Sequence, residues 1–236
     1  MIISRTDKRY YFARHGERVD QARRLHDLRD DSGEDVNCQL TDRGWQQSRM
    51  LGEYIVRDLQ AAGVCRGQKI NVIASPYLRC LQTVQGMLAG IDGYCQIDKV
   101  YVTDWLSEFQ KPDAARHIDD LIKDAGDLNY FDKKIFAKSK VLFERSEEDR
   151  FETKPQAFVR VYDFVDKLVE GKFETPDEIT VIVTHAFFIT SMIYMVSGEL
   201  FNREIPECGV SVLNINENGE RFMMATNIDT NSKQKL

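Results

Sequence analysis

Short apolar runs alternate with helical patterns along most of the chain. Four of these runs predict buried strands, at residues 8–14, 69–74, 96–102 and 178–184. Strands that alternate with helices form a mostly parallel sheet that is covered on both faces. We therefore expect an α/β fold, with a mostly parallel central sheet and helices on both faces, built as a single domain over residues 1–236.

Helical patterns separate and follow the strands. Apolar residues recur at three- and four-residue steps over residues 41–62, and an apolar helix is expected over residues 186–196. The dipeptide Ser75-Pro76 predicts the start of another helix, with the serine as the capping residue and the proline at the first helical position. A further helix is indicated by a stripe with the same spacing, made of Phe158, Val161, Tyr162, Val165, Leu168 and Val169.

The connections between these elements differ in length. Two polar stretches, residues 21–38 and 110–154, follow neither pattern, and we expect them to be excursions over the mouth of a crevice rather than separate domains. Near the carboxyl end, GVSVLNI and RFMMAT predict two strands joined by a turn at Asn218-Gly219.

Composition excludes several classes of partner. The net charge is −6 and the pI is about 5.4, which argues against nucleic acid because binding to a phosphate backbone needs a basic face. No apolar run reaches the length of a membrane span, so no membrane partner is expected. The five cysteines form no C-x-x-C pair, which favours reduced thiols in a cytoplasmic protein.

Charged residues follow three of the predicted strands. RHGER follows the first, SPYLR the second and TH the fourth, and parallel sheets bind ligands beyond the carboxyl ends of their strands. Arginine forks match the oxygens of a phosphoryl group. The convergence therefore predicts a site for a phosphorylated substrate, with five groups that can be cationic: Arg14, His15, Arg18, Arg79 and His185.

His15 is the predicted nucleophile of this site. It is flanked by cations, which disfavour its protonated form and leave a lone pair available to attack phosphorus. The chemistry would then be a double displacement through phosphohistidine. We expect no metal and no cofactor.

The same residues carry a family resemblance. R-H-G-E at residues 14–17 resembles the motif of the histidine phosphatase superfamily, which has the phosphoglycerate-mutase-like fold. Further motifs of the family follow in order: L-T-x-x-G-x-x-Q from Leu40 to Gln47, S-P-x-x-R-x-x-Q-T with Arg79 as its arginine, and V-T-H-A with the second histidine, His185. The resemblance implies that Arg14, Arg79 and His185 hold the phosphoryl group that His15 attacks.

Within that superfamily, R-H-G-E-R-V-D is most similar to the phosphatase domain of the Sts/TULA proteins, the suppressors of T-cell receptor signalling. The similarity adds Arg18 to the phosphate-binding residues. V-T-D-W-L-S-E-F lines up with the stretch that carries the acid in that group, which assigns Glu108 as the general acid, with Asp104 and Asp113 as the nearby alternatives. The chain has no room for the ubiquitin-associated and SH3 domains of those proteins, so their signalling partners are not carried over.

Three functions remain open from the sequence. The first is a metal-independent phosphomonoester hydrolase, acting on aryl phosphates such as phosphotyrosine. The second is a small-metabolite phosphatase or mutase, and the third is a phosphate-binding scaffold with weak activity. The expected partner is a phosphoprotein or a small phosphomonoester, and a homodimer is left open.

Overall fold

The computed structural model describes residues 8–25, 37–98, 100–109, 131–132, 153–170 and 178–231, with side chains for all except 23–25 and 131–132. Most of the two predicted excursions, residues 21–38 and 110–154, lies outside the described residues. Asp113, one of the alternative acids, lies outside them as well.

The described residues form strands and helices in alternation over most of their length. The strands are β1 (Lys8–Arg14), β2 (Asn71–Ala74), β3 (Val100–Val102), β4 (Phe131–Asp132), β5 (Ile179–Thr184), β6 (Val210–Ile215) and β7 (Arg221–Ile228). The helices are α1 (Val19–Leu25), α2 (Asp42–Ala61), α3 (Leu78–Ile91), α4 (Lys154–Val169) and α5 (Ala186–Ser197), with a short 3₁₀ turn at Asp104–Leu106.

These strands form one sheet in the order β4-β3-β2-β5-β1-β6-β7. The pairs β3–β4, β2–β3, β2–β5 and β1–β5 are parallel, whereas β1–β6 and β6–β7 are antiparallel. The prediction of a mostly parallel α/β sheet is therefore confirmed, and the turn at Asn218-Gly219 joins the two antiparallel strands as predicted.

Helices pack on both faces of the sheet because successive side chains of a strand point to opposite faces. In β1, Tyr11 and Ala13 join the core beneath α2 and α3, while Tyr10 and Phe12 join the core beneath α4 and α5. Burial on both faces explains the apolar run at residues 10–13 of β1. No helix among the described residues is long and apolar enough to cross a membrane.

The predicted start of α3 is wrong by two residues. Tyr77 occupies the N-cap position and Leu78 is the first helical residue, so Ser75 does not cap the helix. The Ser75 hydroxyl instead lies 2.8 Å from Nε2 of His185, and the amide of Leu78 donates to Oδ1 of Asn37 at 2.8 Å. The Ser75 hydroxyl, which directly follows β2, thus contacts the residue that follows the neighbouring strand β5 instead of capping α3.

Three further predictions need correction. The second and third strands begin at Asn71 and Val100 rather than at residues 69 and 96, because Lys69 and Gln96 make only an isolated bridge with each other. Tyr162 is 53% exposed and does not belong to the buried stripe of α4. The buried face of that helix includes Phe164, which lies at helical spacing from Val161 and Leu168.

Candidate active site

Three strand ends meet at one edge of the sheet. His15 follows β1, Ser75 follows β2 and His185 follows β5. The amide of His15 donates to the carbonyl of Thr184 and the amide of Ser75 donates to the carbonyl of Val183, each at 3.0 Å. The hydrogen bonds of the parallel ladders therefore continue one residue beyond the strands and hold these three residues side by side.

His15 is buried, with 2% of its surface exposed. Its Nδ1 lies 2.8 Å from the carbonyl oxygen of Gly16. Because a carbonyl oxygen can only accept, Nδ1 carries the proton and Nε2 keeps its lone pair. The local backbone thus fixes the tautomer that nucleophilic attack requires.

The surroundings of His15 also keep it neutral. Burial lowers the pKa of His15 well below its ordinary value of 6.5, and the positive charges of Arg79 and Arg14 lower it further. The sequence indicated the effect of the arginines, but burial is the larger cause. For His185, burial comes first and the charge of Arg79 second in lowering the pKa well below 6.5.

These two pKa shifts predict how stability depends on pH. In the unfolded chain both histidines bind protons near pH 6.5, whereas in the folded protein they stay neutral to lower pH. The unfolded state then binds more protons, so the free energy of unfolding falls as the pH falls below 6.5. Each histidine contributes a slope of up to about 1.4 kcal/mol per pH unit.

Urea unfolding of the wild type, His15→Gln and His185→Gln between pH 7 and pH 5 measures these slopes. Each variant should lose stability less steeply than the wild type as the pH falls, because one of the two proton-binding differences is gone. Equal slopes in all three proteins would show that the histidines titrate normally in the folded state.

The loop that carries His15 is held by the other motifs. The amide of Gly16 donates to Oγ1 of Thr83 at 2.9 Å, and the amide of Glu17 donates to Oε1 of Gln47 at 2.8 Å. A Cβ on Gly16 would lie 2.7 Å from the carbonyl oxygen of Gly44, so only glycine allows this approach of the loop to α2. The L-T-x-x-G-x-x-Q and S-P-x-x-R-x-x-Q-T motifs therefore position His15.

Arg79 is the most deeply buried cation of the site. It lies in the first turn of α3, is 2% exposed, and its guanidinium carbon is 4.3 Å from the centre of the Tyr77 ring. Its Nη2 lies 3.3 Å from Nδ1 of His185 and 4.0 Å from Oε2 of Glu108. The guanidinium thus lies beside both the second histidine and the carboxylate, where a planar donor fork can bind an oxyanion.

His185 is fully buried and takes the N-cap position of α5. Its ring lies edge-on to that of His15, with the centroids 5.4 Å apart. The Ser75 hydroxyl lies 2.8 Å from Nε2, while Nδ1 faces Nη2 of Arg79 and Oε2 of Glu108. Ser75 is a site residue that the sequence did not reveal, because its serine-proline signal also fits a helix start.

Glu108 is the described carboxylate that reaches the histidines. Its Oε2 lies 3.5 Å from Nδ1 of His185, and the side chain is 31% exposed. It follows the 3₁₀ turn that begins at Asp104, whose own side chain is exposed. The geometry therefore supports Glu108 over Asp104 as the acid.

A general acid is needed most when the departing oxygen is strongly basic. Glu108→Gln keeps the shape but has no proton to give, so in single turnovers it should slow the cleavage of an alkyl phosphate far more than phosphoenzyme formation from p-nitrophenyl phosphate. We expect at least a tenfold difference between the two rate losses, within the ~10²–10⁴ that acid–base groups supply. Asp104→Asn is the matched control; the same contrast in that variant, with equal losses in Glu108→Gln, would reassign the acid.

Arg14 and Arg18 contact protein acceptors, and their charges also act on His15. Nη1 of Arg14 donates to the carbonyl of Ile205, and Nη2 lies 3.4 Å from Oε1 of Glu207. Nη2 of Arg18 lies 2.9 Å from Oδ2 of Asp20. Each arginine keeps a buried Nε donor without a hydrogen-bond partner among the described residues. Both remain candidates for phosphate binding, with part of their donor capacity already used.

The residue types also offer a set of metal ligands. His15, Glu108 and His185 present ligand atoms within 4.8 Å of one another. Imidazole and carboxylate groups at this spacing can bind a metal ion. However, the positive charge of Arg79 acts on both histidines and would repel a cation as it attracts phosphate. The cluster suits an anion better.

Several solved structures share this fold. An ecdysone phosphate phosphatase from Bombix mori, in complex with tungstate, is 21% identical, covers 97% of both chains and has a TM-score of 0.59. A phosphoglycerate mutase from Bacillus anthracis is 14% identical, with 95% of both chains covered and a TM-score of 0.58. A phosphoserine phosphatase from Entamoeba histolytica is 14% identical, with 94% of this chain and 97% of that one covered and a TM-score of 0.53.

No curated protein matches the chain significantly. The match to a protein family, by contrast, spans nearly the whole sequence. Residues 10–228 match branch 1 of the histidine phosphatase superfamily, a range that contains His15, Arg79, Glu108 and His185. The chain therefore belongs to the histidine phosphatase superfamily.

Proposed function

We propose that this protein is a metal-independent phosphomonoester hydrolase that works through a phosphohistidine on His15. One observation carries the proposal: the buried His15 holds its proton on Nδ1 against the Gly16 carbonyl, which leaves the lone pair on Nε2, and the positive charge of Arg79 acts on the same ring. A neutral imidazole next to a fixed cation is suited to attack a phosphoryl group whose negative charge the cation offsets.

The reaction follows from these groups. Nε2 of His15 forms a bond to phosphorus while the bond from phosphorus to the ester oxygen breaks. Glu108 gives its proton to that oxygen, and the alcohol or phenol leaves. Glu108 then takes a proton from water, whose oxygen attacks phosphorus as the N–P bond breaks and its electron pair returns to Nε2. Arg79 and His185 hold the phosphoryl oxygens in both steps.

The proposed substrates are aryl phosphates such as phosphotyrosine. Support comes from the resemblance of R-H-G-E-R-V-D, with its additional Arg18, to the Sts/TULA phosphatase domain. The alternatives are a small-metabolite phosphatase or a mutase, since the names of the similar structures include phosphatases of small esters and a phosphoglycerate mutase. At 14–21% identity those likenesses do not choose a reaction.

Hydrolysis of p-nitrophenyl phosphate in the presence of a chelator tests the proposal. We expect phosphate release that the chelator does not change, and no transfer of phosphate to added phosphoglycerate. Loss of activity on chelation with recovery on adding a metal would contradict metal independence, and phosphate transfer would indicate a mutase. Binding of inorganic phosphate without any turnover would indicate the scaffold function.

The proposal extends to location and partners. The acidic pI argues against a nucleic-acid partner, and the odd number of cysteines without paired spacing favours a cytoplasmic protein. The partner of the site would be a phosphoprotein or a small phosphomonoester, and a homodimer stays open.

A further inference from the structure

Two aromatic side chains adjoin the site and have no part in the proposed mechanism. Phe109 directly follows Glu108, and Phe187 lies in the first turn of α5, two residues after His185. Their ring centroids are 5.8 Å apart and the rings are inclined by 39°. Both residues are half-buried, so the pair retains exposed aromatic surface.

The two chain segments that carry these rings meet twice. Oε2 of Glu108 lies 3.5 Å from Nδ1 of His185, and one residue further along the first segment Phe109 meets Phe187. The acid must stand beside the ester oxygen that leaves, and that oxygen lies opposite the attacking His15 in an in-line displacement. The carbon skeleton attached to it therefore extends past Glu108, where the aromatic pair adjoins the site.

We propose that Phe109 and Phe187 form a subsite that selects phosphomonoesters with an aromatic leaving group. This proposal rests on the phosphomonoester hydrolase function above, because only a substrate that is cleaved there has a leaving group. Two rings inclined at 39° offer faces and edges against which a third ring can pack in the offset-stacked or edge-to-face geometry that aromatic groups prefer. A charged or hydroxylated leaving group gains nothing from this surface and loses hydration against it.

The chain supplies a matched control. Phe158 of α4 and Tyr194 of α5 form a second aromatic pair, with centroids 5.9 Å apart. Tyr194 lies seven residues after Phe187 on the same helix, about 10 Å further along its axis at ~1.5 Å per residue. Phe158→Leu therefore removes one ring from a similar pair without touching the site.

The experiment compares 2-naphthyl phosphate with glycerol 3-phosphate in the wild type, Phe109→Leu, Phe187→Leu and Phe158→Leu. Leucine keeps apolar volume, which protects the packing of Phe187 against the core. We expect each subsite variant to lose about tenfold in kcat/KM for the naphthyl ester, mainly through a higher KM. The loss for glycerol 3-phosphate should be less than about twofold, and inhibition by inorganic phosphate should stay the same.

The outcomes separate this proposal from the function on which it rests. If the wild type hydrolyses both esters and the Phe109 and Phe187 variants lose both equally, or lose neither, the aromatic subsite is wrong while the hydrolase function stands. A loss in Phe158→Leu equal to theirs also overturns the subsite. If the wild type hydrolyses neither ester, the proposed function fails, and the subsite with it.

Discussion

Replacing His15 by alanine should reduce turnover of phosphate esters by at least about 10⁴-fold, the scale seen when a nucleophile is removed from a catalytic unit. The covalent step should disappear with it. Brief mixing of the wild type with a labelled phosphomonoester, followed by an alkaline quench, should leave label on the protein, because phosphohistidine survives base and is lost in acid. His15→Ala should carry no label.

Two comparisons make this result specific. His117→Ala removes a histidine that belongs to none of the motifs and should keep both label and turnover. Retained binding of inorganic phosphate by His15→Ala would show that the arginine cluster is still assembled. Label that persists on the His15→Ala protein would mean that another side chain forms the covalent intermediate, and the proposed role of His15 would be wrong.

The sequence predicts the strands that are buried on both faces. Each contains a continuous apolar run, residues 10–13 in β1 and 181–183 in β5, because each strand lies between two layers of helices, and their predicted bounds agree with the structure to within one residue. The bounds of a helix or strand are harder to predict where they depend on contacts with residues far away in the sequence. The predicted start of α3 is wrong because the sequence cannot show that the Ser75 hydroxyl contacts His185, which lies 110 residues further along the chain.

A similar limit applies to the site. Arg14, His15, Arg79 and His185 could be proposed together because parallel strands bring their carboxyl ends to one edge. The sequence does not predict the side-chain contacts between these segments. Examples are the contact between the rings of Phe109 and Phe187 and the hydrogen bond from the amide of Gly16 to Oγ1 of Thr83. Each joins segments that are far apart in the chain, and neither segment alone carries a signal for the other.

Replacing Arg79 by methionine should lower kcat/KM by about 10²–10³-fold, the amount that one fixed donor to a developing oxyanion contributes. Methionine retains an apolar contact with the Tyr77 ring, over which the guanidinium carbon lies at 4.3 Å. It supplies no charge and no donor fork. Because a buried arginine carries a desolvation cost, its loss should change the free energy of unfolding by no more than about 1 kcal/mol.

Three comparisons give this prediction its meaning. Arg79→Lys keeps a positive charge but loses the planar fork, so its activity should lie between that of Arg79→Met and the wild type. Arg49→Met removes a charge from an exposed position on α2, where Arg49 faces Glu53, and should leave kinetics unchanged. Inorganic phosphate should inhibit Arg79→Met at least about tenfold more weakly, because the ground-state anion loses a charge-assisted donor. A variant that folds, with normal kcat/KM and unchanged phosphate inhibition, would exclude Arg79 from the phosphate site, although it lies 3.3 Å from His185.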